Sequence, residues 1–248
     1  MKEERFFYVP NAAECEELPE VEAQHAIRVL RLAEGDGMFL MDGVGTFYRA
    51  VITMATKKRC FYQITDVIPQ KKSWHGHIHL AIAPTKMMER MEWMVEKAVE
   101  VGVDEISFID CRFSERQSVR IDRLEKIVVS AMKQSRKPFK PILNELADFS
   151  NFIDRSVSED KPCANGFIAH CYDDVSRSYL FDDLKDIPVD GNVTILVGPE
   201  GDFSVEEVRL AMSRGYKSIT LGKSRLRTET AGLIAVTMAQ IQKSNNTI

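Results

Sequence analysis

The sequence predicts an α/β protein in two parts, a small β-barrel at residues 1–70 and a larger domain with a mainly parallel sheet at residues 76–248. From residue 77 onward, short apolar runs alternate with segments of helical periodicity, as in parallel sheets covered by helices. Between residues 38 and 67, short runs rich in Phe, Tyr, Val, Ile and Thr follow closely on one another, which favours a small barrel.

The composition is that of a globular protein. Hydrophobic residues make up 44% of the chain and charged residues 28%. No apolar run approaches the roughly 18 residues that cross a bilayer, and the charged start MKEERFFYVP lacks the apolar core of a secretory signal. Five cysteines without CxxC spacing favour reduced thiols over a disulfide framework or a zinc site. We therefore expect a cytoplasmic protein that binds no metal and no membrane.

The charge is unevenly distributed. The net charge of −4 argues weakly against nucleic-acid binding. However, residues 112–140 carry nine Lys or Arg against three Asp or Glu, and residues 141–190 carry eleven acidic against four basic residues. The basic block suits phosphate contacts, and a solvated basic helix explains it equally well.

The first part of the chain begins with a helical stretch from Pro19 to Arg31, in which Val21, Ile27 and Leu30 form the predicted apolar face. Asp42-Gly43 marks a hairpin. The predicted strands are Met38–Met41, Thr46–Met54 and Cys60–Val67.

The second part follows a polar, basic linker at Pro69–His75. Its predicted elements are a strand at His77–Ala83, a helix at Lys86–Val101 with a methionine-rich stripe, a strand at Glu105–Ile109, a helix at Arg120–Arg136, a loop at Asn151–Asn165, a strand at Phe167–Tyr172 and a short helix at Tyr179–Leu184. The stripe is typical of a core or a subunit interface.

Two functions are considered for the histidines, a metal site and a general base. His75, His77 and His79 alternate along a strand but lack Cys or carboxylate partners at familiar metal-binding spacings, which favours incidental histidines. His170 lies on an apolar strand, where a satisfied structural histidine is commoner than a general base.

The last fifth of the chain contains two glycine-marked turns, LVGPEGDFS at Leu196–Ser204 and LGKSRLRTETAG at Leu221–Gly232. Each follows a short strand and leads into a helix, so each presents main-chain groups at the carboxyl edge of a sheet. Ser204 and Glu207 form a capping box. The last helix, Thr230–Ile241, carries a predicted apolar stripe that consists of Ala231, Ile234, Ala235, Met238 and Ile241. Neither turn is a P-loop or a GxGxxG motif, so nucleotide-phosphate binding is not indicated.

These two loops resemble the signatures of the ribosomal-RNA uridine-N3 methyltransferases of the RsmE type, within the SPOUT class. HAIRVLRLAEGD at His25–Asp36, the segment from Thr85 to Ile106, CRFSERQS at Cys111–Ser118 and Gln134-Ser135-Arg136 are similar to other elements of that family. The resemblance implies a PUA-like amino-terminal domain, a carboxyl-terminal trefoil knot, a homodimer, S-adenosylmethionine as cofactor and 16S ribosomal RNA within the small subunit as substrate.

The resemblance also implies site residues. Arg227 would stabilise charge that develops on the uracil carbonyl oxygens, and Glu229 would either accept the N3 proton or favour the start of the last helix electrostatically. The expected cofactor-binding residues are Leu196, Gly198, Glu200, Gly201, Leu221, Gly222, Leu226 and Arg227. The expected RNA-binding residues are Arg5, Arg28, Arg31, Lys86, Gln134 and Arg136.

The sequence departs from the family pattern in two places. Asp202 stands where a second glycine is usual, and Lys223-Ser224 replace commoner residues. Aspartate tolerates left-handed backbone angles better than most residues, so we expect the loop to survive the change. Two other functions remain open: a SPOUT methyltransferase for another RNA, such as a transfer-RNA base or ribose, and a non-catalytic RNA-binding or assembly factor.

Overall fold

The computed structural model describes residues 4–156 and 163–244. The chain divides into two compact units, Met1–Lys72 with Val129–Lys140, and Ser73–Val128 with Pro141–Ile248. The strands are β1 Phe6–Tyr8, β2 Gly37–Met41, β3 Thr46–Ala55, β4 Cys60–Pro69, β5 Ile78–Ile82, β6 Glu105–Asp110, β7 Ile142–Asp148, β8 Gly166–Ala169, β9 Ser178–Tyr179, β10 Val193–Val197 and β11 Lys217–Thr220. The helices are α1 Glu20–Gln24, α2 Met88–Val101, α3 Ile121–Ser135, α4 Phe149–Ser156, α5 Leu180–Asp183, α6 Val205–Ser213 and α7 Thr228–Ser244.

The first unit is built on a four-stranded mixed sheet in the order β1-β2-β3-β4. β1 runs parallel to β2, and the other pairs are antiparallel. One side of the sheet packs into a core with the helical segment, where Phe7, Leu40 and Ala26 are fully buried. The predicted strands are confirmed to within two residues.

The helical segment of the first unit differs from its predicted form in two ways. After α1, residues His25–Val29 form a π-helical turn. Val21 was expected on the apolar face, but it is 79% exposed. The helix instead buries Ala23 and Glu22, whose carboxylate is compensated by Lys133 at 2.7 Å.

The second unit contains a seven-stranded parallel sheet in the order β7-β6-β5-β10-β8-β11-β9. Strands such as Ile78–Ile82 and Val193–Val197 are buried almost throughout, as expected for a sheet that is covered on both faces. Residues Ala81 and Leu196 pack with α4 and α6 on one face. Leu80 and Ile82 point to the other face, where α2 and α7 pack together.

One prediction for this unit is wrong, and one strand was not predicted. Residues 151–156 of the predicted loop belong to α4, because Phe149 and Ile153 bury one face of an otherwise polar helix; the rest of the predicted loop up to residue 162 lies outside the described residues. The strand that was not predicted is β7. Within the predicted linker, Trp74 is buried, and its Nε1 donates to Asp104 at 2.9 Å.

The predicted apolar stripe of the last helix is confirmed at Ala235, which is fully buried, but it is wrong at Ile241, which is 43% exposed. The helix instead also buries Gly232 and Ala239, which were not in the predicted stripe. Small side chains are selected because α7 lies close to its neighbours: a Cβ on Gly232 would lie 2.7 Å from Ile82 Cδ1. Within the described residues, no helix is long and apolar enough to cross a membrane.

Candidate active site

Three loops meet at one edge of the parallel sheet. β10, β8 and β11 are neighbours, and the loops that follow their carboxyl ends enclose a cavity of about 980 Å³. Ligands of open α/β sheets bind at such carboxyl ends. The apolar part of the lining includes Val197, Ile219, Leu221, Leu226 and Ala231.

The loop after β10 is shaped by its two glycines. A Cβ on Gly198 would lie 3.0 Å from the ring of Phe203, and a Cβ on Gly201 would lie 3.0 Å from Cβ of Phe113. Gly198 also lines the cavity. These contacts are tighter than ordinary packing, so both glycines allow the loop to fold closely onto its own neighbours.

Asp202 joins this loop to the loop after β8. Its φ is 68°, the left-handed conformation that the sequence led us to expect an aspartate to tolerate. Its Oδ1 accepts the N–H of Phe203 at 2.8 Å, and its Oδ2 accepts the N–H of Cys171 at 2.8 Å. The departure from the family pattern therefore supplies a cross-link that glycine cannot make.

The loop after β8 is held by two further side chains. Arg177 donates to the carbonyl oxygen of His170 at 2.8 Å and to Asp173 at 2.7 Å. The His170 ring is buried and lies 2.7 Å from Oγ of Ser218, as expected of a hydrogen-bonded structural histidine, although His170 also lines the larger cavity. Burial lowers the pKa of His170 and raises the pKa of the Cys171 thiol, so both groups stay uncharged at neutral pH.

The loop after β11 turns at Gly222. Its φ is 138°, and a Cβ there would meet no atom within 4 Å. Glycine is thus required by the backbone angle rather than by crowding. Oγ1 of Thr220 donates to the carbonyl of Gly222 at 2.9 Å and fixes the turn.

A second, smaller cavity of about 430 Å³ adjoins the first and shares Cys171, Pro199, Asp202, Arg225, Leu226 and Thr228 with it. Its lining includes three guanidinium groups, those of Arg90, Arg225 and Arg227, and two carboxylates, those of Glu200 and Asp202. The cations outnumber the anions, so this cavity suits an anionic ligand.

Glu200 connects the loop after β10 to the chain that follows β5. Its Oε1 accepts the N–H of Lys86 at 3.0 Å. Arg116 donates to the carbonyl of Lys86 at 2.7 Å, and the ammonium group of Lys86 pairs with Glu115 at 2.7 Å. Lys86 is exposed, and its main chain contacts Glu200 of the smaller cavity. The ammonium group of Lys86 is neutralised by its ion pair with Glu115.

Glu229 lies in the first turn of α7 and is almost fully buried, with 8% of its side chain exposed. Its Oε1 is 3.9 Å from Nε of Arg90, and its Oε2 has no hydrogen-bond partner among the described residues. Glu229 lines neither of the two cavities.

The predicted cofactor-binding residues divide into three groups. Gly198, Leu221, Gly222 and Leu226 line the larger cavity. Glu200 and Arg227 line the smaller one, which Leu226 also borders. The remaining two lie behind the cavities: Leu196 is fully buried in β10, and Gly201 packs on Phe113.

The predicted RNA-binding residues lie in both units. Arg28 and Arg31 are exposed on and after the π-helical turn of the first unit, with no ionic partner among the described residues. Arg136, in the same unit, pairs with Glu4 at 3.0 Å and stacks over Phe6. The others are Arg5, which is half-buried, Gln134, which is exposed at the end of α3, and Lys86 in the second unit.

Sequence reasoning missed several cavity residues. Arg90 and Thr228 line the smaller cavity together, although 138 positions separate them in the chain. Cys171 and Arg225 line both cavities. The sequence signal for Arg225 and Thr228 was their position within LGKSRLRTETAG, and Arg90 lies in the family-like segment from Thr85 to Ile106. Within the described residues, no group of His, Cys, Asp and Glu is arranged to hold a metal ion.

Comparison with known families defines the class. Residues 72–240 match the model of an RNA methyltransferase domain, and residues 18–65 match that of an RNA methyltransferase PUA domain. The first match covers more than half of the 248 residues. The parallel sheet and the loop-lined cavities are thus those of an RNA methyltransferase domain.

The chain belongs to this RNA methyltransferase family. A probable rRNA-methyltransferase from Porphyromonas gingivalis is 42% identical, with a TM-score of 0.88 over 98% of this chain and 99% of that one. A ribosomal RNA small subunit methyltransferase E from Neisseria gonorrhoeae, solved with bound S-adenosyl methionine, is 26% identical, with a TM-score of 0.81 over 96% and 98% of the two chains. The enzyme of the same name from Rickettsia conorii is 25% identical over 99% of this chain and 98% of its own length.

Proposed function

We propose that the protein is a cytoplasmic enzyme that methylates N3 of a uridine in 16S ribosomal RNA of the small subunit, with S-adenosylmethionine as the methyl donor. The observation that carries the proposal is the pair of joined cavities, one walled by three loops and the other lined by Arg90, Arg225 and Arg227. The relatives named ribosomal RNA small subunit methyltransferase E, one of them solved with S-adenosyl methionine, support the substrate and the cofactor.

The residues of the larger cavity fit this cofactor. Its volume of about 980 Å³ is at the upper end of the range of small-molecule sites, roughly 300–1,000 Å³. Val197, Ile219 and Leu226 offer apolar contact for an adenine ring. The open space beside Gly222 lets a ligand approach the main chain of the third loop.

When bound, S-adenosylmethionine supplies a methyl group that its sulfonium already activates. The task of the protein is then to orient the uracil ring so that N3 faces that methyl group. Methyl transfer to N3 requires loss of the N3 proton, and negative charge develops on the ring carbonyl oxygens. Arg227 is exposed at the smaller cavity and is the proposed group that stabilises this charge.

The burial of Glu229 favours the second of its two predicted roles. It lines neither cavity, and it lies in the first turn of α7, where a carboxylate is stabilised by the helix dipole. A proton acceptor must come within hydrogen-bonding reach of its proton. Glu229 therefore acts electrostatically rather than as the base.

The first unit binds the RNA outside the target nucleotide. Arg28 and Arg31 support this role because they are exposed and have no ionic partner among the described residues. Arg31 follows the C-cap residue of the helical segment and adopts a left-handed φ of 54°. Exposed cations of this kind bind phosphates, and this binding weakens as the salt concentration rises. Arg5, Lys86, Gln134 and Arg136 complete the proposed RNA contacts.

The carboxyl-terminal segment is threaded as a trefoil knot. Sheet order supports the threading: β11 lies beyond β8, whereas α7 returns to pack against β5 and β10. The chain between β11 and α7 therefore crosses the ends of the strands whose loops enclose the cavity. An experimental structure traced from residue 198 to residue 244 tests this threading.

The enzyme forms a homodimer through the outer faces of α2 and α7. The methionine stripe was expected to contribute, but Met91 and Met94 are fully buried within the chain. Each helix instead leaves a large apolar side chain exposed: Trp93 of α2 is 44% exposed, and Ile241 of α7 is 43% exposed. These two side chains are the proposed contacts with the partner.

The decisive experiment uses small ribosomal subunits from a strain deleted for this gene. The subunits are incubated with purified protein and methyl-labelled S-adenosylmethionine, and the labelled nucleoside is identified by mass spectrometry. We expect 3-methyluridine at one site. Label on transfer RNA instead would overturn the substrate while keeping the cofactor, and absence of label on any RNA would favour a binding or assembly factor.

Arg227→Ala tests the proposed catalytic role. Loss of one preorganised charge-stabilising group lowers kcat by about 100-fold or more, and we expect this decrease in turnover. Because Arg227 lines the smaller cavity and not the larger, proposed cofactor cavity, its predicted contact with the cofactor is minor, and the Kd of S-adenosylmethionine measured by calorimetry should change little. Arg209→Ala is the matched control, since Arg209 is exposed on α6 and lines neither cavity. Equal turnover in the two variants would remove Arg227 from the mechanism.

A further inference from the structure

We propose that Arg90 binds a phosphate group of the substrate RNA and that Glu229 is the positioning residue that holds Arg90 in place. The inference rests on the proposed function and deepens it, because it assigns a substrate contact to a residue of α2. The juxtaposition that carries it is a half-buried guanidinium at the smaller cavity beside a buried, incompletely partnered carboxylate.

The position of Arg90 is not explained by helix stability. Arg90 is the third residue of α2, and its side chain is 36% exposed. A cation in the first turn of a helix opposes the helix dipole and is unfavourable there. Among the described residues, its guanidinium makes no hydrogen bond and its ionic contact is with Glu229. Its exposed face is turned to the smaller cavity, which it lines with Arg225 and Arg227.

The burial of Glu229 also needs an explanation beyond its helix. A buried carboxylate oxygen without a hydrogen bond is unfavourable, and Oε2 of Glu229 is such an atom. The start of α7 and the charge of Arg90, 3.9 Å from Oε1, offset part of this cost. The charge of Arg90 therefore stabilises the buried carboxylate of Glu229, and Glu229 in turn holds the guanidinium of Arg90 in position.

The packing of α7 on α2 fixes the distance between the two side chains. Gly232 follows Glu229 by three positions, and a Cβ there would lie 2.7 Å from Ile82 Cδ1 and 3.7 Å from Met94 Cγ. Met94 lies one turn after Arg90 on α2 and is fully buried. The backbone of α7 thus lies close to α2 at this level, so neither helix can shift without disturbing the core.

The geometry suits phosphate recognition. Glu229 faces Nε of Arg90, which leaves the two Nη groups for a ligand. A guanidinium fork binds two oxygens of a phosphate at once, and fixing the fork in advance reduces the entropy lost on binding. The two carboxylates of the cavity accept main-chain N–H groups, Glu200 from Lys86 and Asp202 from Cys171 and Phe203. They are thus held by the loops and leave the guanidinium groups to the ligand.

The test compares Arg90→Ala and Arg90→Lys with the control Arg209→Ala. We expect Arg90→Ala to raise KM for deletion-strain subunits about 10-fold and to leave the Kd of S-adenosylmethionine within about 2-fold. In filter binding to 16S RNA, the slope of log K against log salt should fall in magnitude by about 1. Arg90→Lys should restore the slope but only part of KM, because ammonium keeps the charge without the fork.

Glu229→Gln separates positioning from proton transfer. If Glu229 acts through Arg90, the variant that combines Glu229→Gln with Arg90→Ala is no worse than Arg90→Ala alone, and Glu229→Gln keeps the shape of the pH–rate profile. The positioning role would be overturned if the defects of the two single variants multiplied in the double variant, or if Glu229→Gln lost the acidic or the basic limb of the pH–rate profile. An Arg90→Ala slope and KM equal to those of Arg209→Ala would overturn the phosphate contact.

These measurements also distinguish the inference from the proposed function. If the wild-type protein transfers no methyl group to any RNA, the proposed function fails, whereas the salt slope of RNA binding still tests Arg90. If Glu229→Gln does not fold, the two Arg90 variants decide the phosphate contact, and Glu229→Asp with Arg90→Ala decides the coupling.

Discussion

Replacement of Asp202 tests how the cofactor cavity is held together. Asp202→Ala removes two charge-assisted bonds to main-chain N–H groups, those of Cys171 and Phe203, both at 2.8 Å. It also leaves an alanine at a φ of 68°, which costs about 1 kcal/mol. Because the side chain is partly exposed, each lost bond contributes about 1 kcal/mol rather than the full value for a charged acceptor. The expected loss in the free energy of unfolding is about 2–4 kcal/mol.

Two further variants at this position separate the contributions. Asp202→Gly loses both bonds but accepts the backbone angle, so its loss should be about 1–2 kcal/mol. Asp202→Asn keeps one carbonyl acceptor and should lose about 1 kcal/mol or less. Stability is measured by urea unfolding, and calorimetry gives the Kd of S-adenosylmethionine. We expect Asp202→Ala to weaken this binding about 5-fold or more, because Cys171 belongs to a wall of the cavity.

The control is Asp182→Ala, which removes an exposed ion pair with Lys185 and should change stability by less than about 0.5 kcal/mol. If Asp202→Ala were as stable as this control, the cross-link between the loops would not contribute to the fold. If Asp202→Gly and Asp202→Ala were equally stable, the backbone angle would carry no cost.

Two other predictions concern the second unit. The hydrogen bond from His77, 2.9 Å from Glu105, lowers the pKa of the Glu105 carboxyl from 4.5 to about 2. The contribution of this carboxylate to the stability of the fold is therefore complete above pH 4.5 and is lost as pH falls towards 2. Urea titrations should find Glu105→Gln about 1–2 kcal/mol less stable at pH 6 and equal to the wild type near pH 2; a constant difference would refute the assignment. Trp93→Glu combined with Ile241→Glu should convert the proposed dimer to a monomer in light scattering, whereas Met212→Glu, which alters an exposed residue of α6, should not. An unchanged mass for the double variant would place any interface elsewhere.

The features that the sequence predicted well are those fixed by local interactions. The capping box at Ser204 forms in both directions, with the N–H of Glu207 donating to Oγ of Ser204 at 3.3 Å and the N–H of Ser204 donating to the Glu207 carboxylate at 2.7 Å. The helix therefore begins at Val205, as predicted. The strand that precedes it is buried on both faces, and its β-branched and apolar residues Thr194–Val197 made it recognisable.

The features that the sequence predicted poorly depend on how elements pack. Hydrophobicity favours Ile234 and Ile241 as the core face of α7, but the structure buries Gly232 and even Lys243, whose Nζ donates to the carbonyl of Pro188 at 2.8 Å. Because α7 lies close to α2 and β5, small residues are selected at the contact. The periodicity of a sequence does not show how closely two elements approach each other. Arg90 was missed for the same reason, since only the packing of α7 on α2 brings it to Glu229.

The charge of the chain shows why a global sum is a poor guide to substrate. A net charge of −4 argued against a nucleic-acid partner. At the smaller cavity the balance is reversed, because three guanidinium groups face two carboxylates, and both carboxylates accept main-chain N–H groups. A polyanion responds to the field at the site it enters, and salt screens charges more than about 10 Å away. The local surplus of arginine at the smaller cavity is therefore what an RNA phosphate meets.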